Sequence, residues 1–178
     1  MATVVDDLRF PVGRYTPPAT VPAGQRAEWI EVIAALPQRM RAAASGLDDA
    51  KLDTPYRPGG WTVRQVIHHV PDSHMNAFIR HKLALTEEVP RIKTYEEAEW
   101  ARLADASLTP VETSLALLGA LHERWVILLR SLTDEQWSRA FRHPELGELR
   151  LDQNLGLYAW HSRHHVAHIT TLREREGW

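Results

Sequence analysis

Histidine is the residue in this chain whose type and spacing could do chemistry. The 178 residues include ten histidines, and most fall in two clusters. One is His68-His69, with His74 and His81 further along. The other is Trp160-His161-Ser162-Arg163-His164-His165-Val166-Ala167-His168. On a helix, at ~100° per residue, the four histidines of the second cluster share about 100° of arc. Neutral imidazole is the commonest side-chain ligand for zinc and nickel, and residues at i and i+4 can reach one ion together. The competing explanation is solvated or core-satisfied histidines. It suits a lone histidine better than a face of four.

Both His161/His165 and His164/His168 have the i,i+4 spacing. Leu155, Tyr158, Ile169 and Leu172 define the apolar stripe of this segment, and sites inside helix bundles are built from inward-facing side chains. His161 and His165 lie beside the stripe, whereas His164 and His168 are rotated toward its edge. The pair His161 and His165 is therefore preferred, with His168 as a neighbour or substrate contact. A third ligand must come from another helix. His74 and His81 lie nearest the stripe of Val63, Val66, Val70 and Ala77, His69 lies on its flank and His68 further round, so periodicity leaves the choice open. The chain has no His-Glu-x-x-His, which argues against a zincin protease. It has no cysteine, which excludes disulfides, thiolate zinc sites and a cysteine nucleophile.

These side chains need rigid elements to hold them. A first helix is expected from about Ala23 to Ser45, with Trp29, Ile30, Ile33, Leu36 and Met40 at helical spacing, a kink at Pro37 and a stop at Gly46. Thr54-Pro55 and Pro58-Gly59-Gly60 read as turns. A second helix runs from about Thr62, a plausible N-cap, to Thr86. It contains Pro71, whose missing N–H has no compensation visible in the sequence. A connection over 87–108 holds a short helix near Tyr95 to Leu103. The third helix opens with Thr109 as N-cap, Pro110 in the first turn and Glu112 closing a capping box. Its stripe is Leu115, Leu118, Leu121, Trp125, Leu128 and Leu129. Thr133 to Gln136 forms a second capping box, residues 142–151 a turn or small hairpin, and a last helix runs from near Asp152 to Glu176. Residues 1–23, rich in proline, should run extended over the surface. Four long amphipathic segments predict an all-α four-helix bundle, a single domain over 1–178.

Composition bounds the function. With 44% hydrophobic and 25% charged residues and a net charge of −2, the chain is an ordinary globular one, and no basic surface argues for nucleic acid or anionic lipid. No apolar run approaches the ~20 residues that span a bilayer. Met1-Ala2-Thr3-Val4-Val5-Asp6-Asp7 does not read as a signal peptide. The expectation is a cytoplasmic protein without membrane or nucleic-acid partners.

Three segments add a resemblance. Gly60-Trp-Thr-Val-Arg-Gln-Val-Ile-His-His-Val70, Asp72-Ser-His-Met-Asn76 and Gly156-Leu-Tyr-Ala-Trp-His-Ser-Arg-His-His-Val-Ala-His168 resemble the DinB-like superfamily. The likeness is greatest to its YfiT branch of metal-dependent hydrolases, which includes bacillithiol S-transferases. Phe10-Pro-Val-Gly-Arg-Tyr-Thr-Pro-Pro18 is similar to that branch as well, so the resemblance spans nearly the whole chain. It implies a four-helix bundle, often a homodimer, with one zinc or nickel ion per chain on three histidines. By the family motif the first ligand follows the Trp-Thr-Val segment, which is His69 here, and the other two are His161 and His165. Pro71 departs from the pattern, where a small helix former is usual.

Three imidazoles leave a coordination position open, the arrangement of catalytic rather than structural zinc. An ion there can hold a thiol as thiolate, which leads to S-transfer, or lower the pKa of water toward ~7, which leads to hydrolysis. The resemblance favours a small thiol, bacillithiol, conjugated to an electrophile. Hydrolysis and a non-enzymatic metal-binding stress protein are the alternatives. Arg64 and Arg80 are candidate anchors for the thiol's anionic groups. No protein base can be assigned, although Asp72 is one candidate. Trp61, Tyr158 and Trp160 flank the ligand segments, as core or as pocket wall. Zinc and nickel suit imidazole equally well.

Overall fold

A computed structural model describes residues 8–178; the opening Met1 to Asp7 lies outside them. Four long helices dominate: α1 (Ala23–Ala44), α3 (Val63–Thr86), α6 (Val111–Ser131) and α8 (Leu151–Glu176). Short helical turns occupy the connections: α2 (Asp49–Leu52), α4 (Glu97–Trp100), α5 (Asp105–Leu108) and α7 (Asp134–Trp137). An antiparallel hairpin of β1 (Ala140–His143) and β2 (Gly147–Arg150) pairs Ala140 with Arg150 and His143 with Gly147. Gly147 turns it at φ +75°.

Local chemistry accounts for the helix limits. Thr62 and Gln65 form a reciprocal capping box at the head of α3, and Thr133 and Gln136 form another at α7. Gly177 ends α8 in the left-handed conformation. The box expected at Thr109 does not form: the N-cap of α6 is Pro110, with no side-chain cap, and Glu112 instead pairs with Arg41 on α1 at 2.6 Å. The helix expected over Tyr95 to Leu103 contracts to the single turn of α4.

The packing order differs from a simple up-and-down bundle. Helix α1 packs on α6 and α8, and α3 packs on the same two, so α1 faces α3 across one diagonal and α6 faces α8 across the other. The long connections, 45–62 and 132–150, make those crossings. Arg139 fastens the second by donating to the carbonyls of Ala84 and Glu87 at the end of α3.

The core has two apolar ends. Ile33, Phe78, Trp125, Leu129, Phe141 and Leu155 fill one, and Leu36, Met40, Val66, Leu118, Ile169 and Leu172 fill the other. Between them, every long helix passes through a layer that contains His74, His122, His161, His165 and His168. Helix α1 contributes the Ile33 carbonyl, 2.7 Å from His122 Nδ1.

The segment before α1 lies along α8. Trp160 Nε1 donates to the Gly13 carbonyl at 2.9 Å, Tyr15 donates to the Gln153 carbonyl at 3.2 Å, and Gln153 donates to the Pro18 carbonyl at 3.2 Å. Among the described residues no helix is long and apolar enough to cross a membrane.

Candidate metal centre

Helix α8 carries His161 and His165 one turn apart, and α3 brings His69 against them. His161 Nε2 stands 3.3 Å from His69 Nε2 and 3.1 Å from His165 Nε2. One nitrogen of each ring lies within 4.8 Å of the others. Two nitrogens bound at ~2.0–2.1 Å to one tetrahedral ion stand roughly 3.3 Å apart, so the spacing fits a shared divalent ion. Burial holds the rings neutral. His69 is pushed down to about 4, first by desolvation and then by His168, and His161 and His165 lie well below the ordinary histidine value for the same first reason. Three neutral imidazoles aimed at one point form a donor set that could hold a divalent transition-metal ion.

The trio lies on the wall of a cavity of about 520 Å³. Trp61, Ser73, Arg80, Tyr95, Tyr158 and the acidic Glu96 and Glu97 line it with the ligands. The volume is that of a site for a small organic molecule. Ser73 Oγ lies 3.5 Å from both His161 Nε2 and Tyr158 Oη. Burial raises the phenols of Tyr95 and Tyr158 above their ordinary value, so both stay protonated at neutral pH.

The other residues singled out by sequence distribute as follows. Arg80 is buried in the cavity wall, where its guanidinium donates only a long 3.4 Å bond to the Lys93 carbonyl; no carboxylate pairs with it among the described residues. Arg64 does not share that position. It is bound by Asp53 at 2.6 Å and Asp49 at 2.8 Å and lies off the cavity wall, so the anchoring role expected of it is corrected to a structural ion pair that ties α3 to α2. Asp72 is likewise off the cavity wall; its carboxyl is raised to about 6 by burial and by Asp105. Trp61 and Tyr158 serve as pocket wall, and Trp61 contacts the His69 ring at 4.7 Å. Trp160 instead stacks on His164 at 4.4 Å, facing the N-terminal segment.

Of the alternatives for the third ligand, His74 sits one shell behind His161, with His74 Nε2 3.1 Å from His161 Nδ1. His81 lies further off, against Trp125 and the Ala77 carbonyl, and His68 binds Ser114 at 2.7 Å. Sequence reasoning passed over His122, which contacts His74 at 3.0 Å. Its signal was available: His122 interrupts the apolar stripe of α6 between Leu118 and Trp125, and it is almost fully buried. A second trio, His164, His165 and His168, also brings its nitrogens within 4.8 Å.

Comparison with known proteins identifies the family and the fold. The model of the DinB superfamily matches residues 33–169. A protein of Bacillus mycoides (strain KBAB4), named as a candidate metal-dependent hydrolase, is 54% identical over 172 residues, which cover 97% of this chain and 99% of that protein. YfiT of Bacillus subtilis (strain 168), named in the same way, is 50% identical over 173 residues, 97% of each chain. The solved structure of YfiT, described as having an unusual four-helix bundle topology, matches with a TM-score of 0.94 at 50% identity, over 97% of this chain and 99% of that one. TT2238, a four-helix bundle protein, shares the fold at a TM-score of 0.58 and 23% identity, over 82% of this chain and 98% of that one. With the family model over most of its length and relatives at half identity from end to end, this chain belongs to the DinB superfamily.

Proposed function

We propose that the chain is a metal-dependent enzyme that transfers a low-molecular-weight thiol, bacillithiol, to an electrophile. The observation that carries the reading is the convergence of three imidazoles, buried His69 and His165 and half-buried His161, on the wall of an open cavity large enough for an organic substrate. The ion would supply Lewis acidity, lowering the pKa of a thiol or water that binds at its open position.

The chain's own groups would do the rest. His69, His161 and His165 hold the ion. Arg80, buried and unpaired by any described carboxylate, binds an anionic group of the thiol. Ser73 Oγ and the protonated Tyr158 and Tyr95 hydroxyls orient the reacting group beside His161. Trp61 excludes water from one side. Because the chain lacks cysteine, the sulfur nucleophile enters as a substrate. The family branch that the sequence resembles supports the thiol reading.

The names of the relatives support a second reading, hydrolysis with metal-activated water. One experiment separates the two. Zinc- or nickel-loaded protein is given bacillithiol and monochlorobimane, and conjugation is followed by fluorescence. Conjugation above the uncatalysed rate, abolished in His165→Ala, supports transfer. Metal-dependent cleavage of an ester or amide without added thiol, with no conjugation, overturns transfer in favour of hydrolysis.

A further inference from the structure

Two chains of hydrogen bonds run from the ligand histidines to backbone carbonyls, and each carbonyl fixes the direction of its chain. The first begins at Pro37. Proline has no N–H, so the carbonyl four residues earlier in α1, that of Ile33, loses its helical donor. His122 Nδ1 lies 2.7 Å from that oxygen. A carbonyl only accepts, so a neutral His122 carries its proton on Nδ1 and presents a lone pair on Nε2. His74 Nδ1, at 3.0 Å, must then donate, which leaves His74 Nε2 as the acceptor. His161 Nδ1, at 3.1 Å, donates to it. The proton order leaves a lone pair on His161 Nε2, the atom that faces His69 and His165.

The second chain ends on the N-terminal segment. His168 Nε2 lies 3.1 Å from the Arg9 carbonyl, and so donates. His168 Nδ1 therefore accepts from His165 Nδ1 at 3.3 Å, and His165 Nε2 is left bare toward His161. Both ligands on α8 thus reach the same tautomer by separate routes.

We propose that His74, His122 and His168 are positioning residues that lock His161 and His165 as Nδ1–H tautomers, with the Ile33 carbonyl freed by Pro37 and the Arg9 carbonyl as the two anchors. This rests on the reading that His69, His161 and His165 hold a metal. It follows that His164, His165 and His168 do not form a second metal site, because the Nδ1 atoms of His165 and His168 are occupied by each other. Residues that hydrogen-bond to ligating histidines typically contribute 10–100-fold in metal affinity.

The test uses the full chain labelled with 15N-histidine, with and without zinc. Long-range 1H–15N correlation spectra should show Nδ1–H for His74, His122, His161 and His165, and Nε2–H for His168. Zinc affinity is measured in parallel by chelator competition. His122→Leu should weaken it about 10–100-fold. His122→Gln, whose amide oxygen can accept from His74 Nδ1–H, should recover most of the loss. One zinc per chain is expected. Nε2–H on His74 or His122, equal zinc affinity in His122→Leu, or a second zinc held by His164 and His168 overturns the proposal while leaving the three-histidine site intact. Wild-type protein that takes up no zinc overturns the metal reading itself. The spectra need only the wild-type chain, so the assignment stands or falls even if His122→Leu does not fold.

Discussion

Gly156 of α8 and Trp29 of α1 touch so closely that a Cβ on the glycine would stand 2.7 Å from the indole and 2.6 Å from Tyr15 Oη. The absent side chain lets α1 and the segment before it close onto the helix that carries His161 and His165. Overpacking there should cost about 1–3 kcal/mol, more than the ~1 kcal/mol that alanine gains over glycine in a helix. Gly156→Ala should therefore lower the urea midpoint. Gly119→Ala on α6, where a Cβ meets nothing within 4 Å, should raise stability by about 0.5–1 kcal/mol. Equal effects from the two substitutions would remove the close approach as the explanation.

The two arginines of α3 that sequence could not distinguish should separate in the laboratory. Arg64 is held by Asp49 and Asp53, both partly or largely solvated. Arg64→Met should cost about 1 kcal/mol in urea denaturation and leave zinc affinity and KM unchanged. Arg80 faces the cavity with only a long bond to the Lys93 carbonyl. A hydrogen bond to a charged partner is worth ~1.5–3 kcal/mol, so Arg80→Met should raise KM for an anionic thiol roughly 10–100-fold with little change in the urea midpoint. A Michaelis constant that moves with Arg64 and not with Arg80 would refute the assignment.

The i,i+4 histidine pair and the four apolar stripes were legible because helical periodicity encodes them directly. Thr62 and Gln65 likewise announced the start of α3, since a capping box is purely local. What stayed hidden depends on distance in sequence. Arg64 looks free until the turn 53–62 folds Asp53 back onto it. Thr109 has the right residues for a cap, but Glu112 is claimed by Arg41 from another helix. Pro37 reads as a helix defect, and only the packing of α6 against α1 shows that His122 occupies the carbonyl it releases. Choosing His69 over His74 needed either the family motif or coordinates, because periodicity puts His74 nearer the apolar stripe, whereas the fold sets His69 against His161 Nε2 and His74 behind it on Nδ1.

The buried histidine layer should make the metal-free chain acid-labile. Burial holds His81 and His122 at about 4, against an unfolded value of 6.5, and moves His74 in the same direction. A depressed histidine pKa means that the unfolded chain binds more protons between those two values, so stability falls as pH drops from about 6.5 toward 4. Each proton bound by only one state contributes about 1.36 kcal/mol per pH unit. Asp72 acts in the opposite sense: its folded value near 6 exceeds the unfolded 3.8, and its protonation favours the folded chain over that interval. One such carboxyl cannot offset several histidines, and total stability for a domain of this size is only ~5–15 kcal/mol. Circular dichroism at 222 nm in EDTA should therefore show cooperative unfolding between pH 6.5 and 4. Excess zinc should move the midpoint to lower pH, because a ligand that binds only the folded state stabilises it by mass action. A metal-free chain with the same urea midpoint at pH 4.5 as at pH 7 would mean that these imidazoles are not held neutral by the fold.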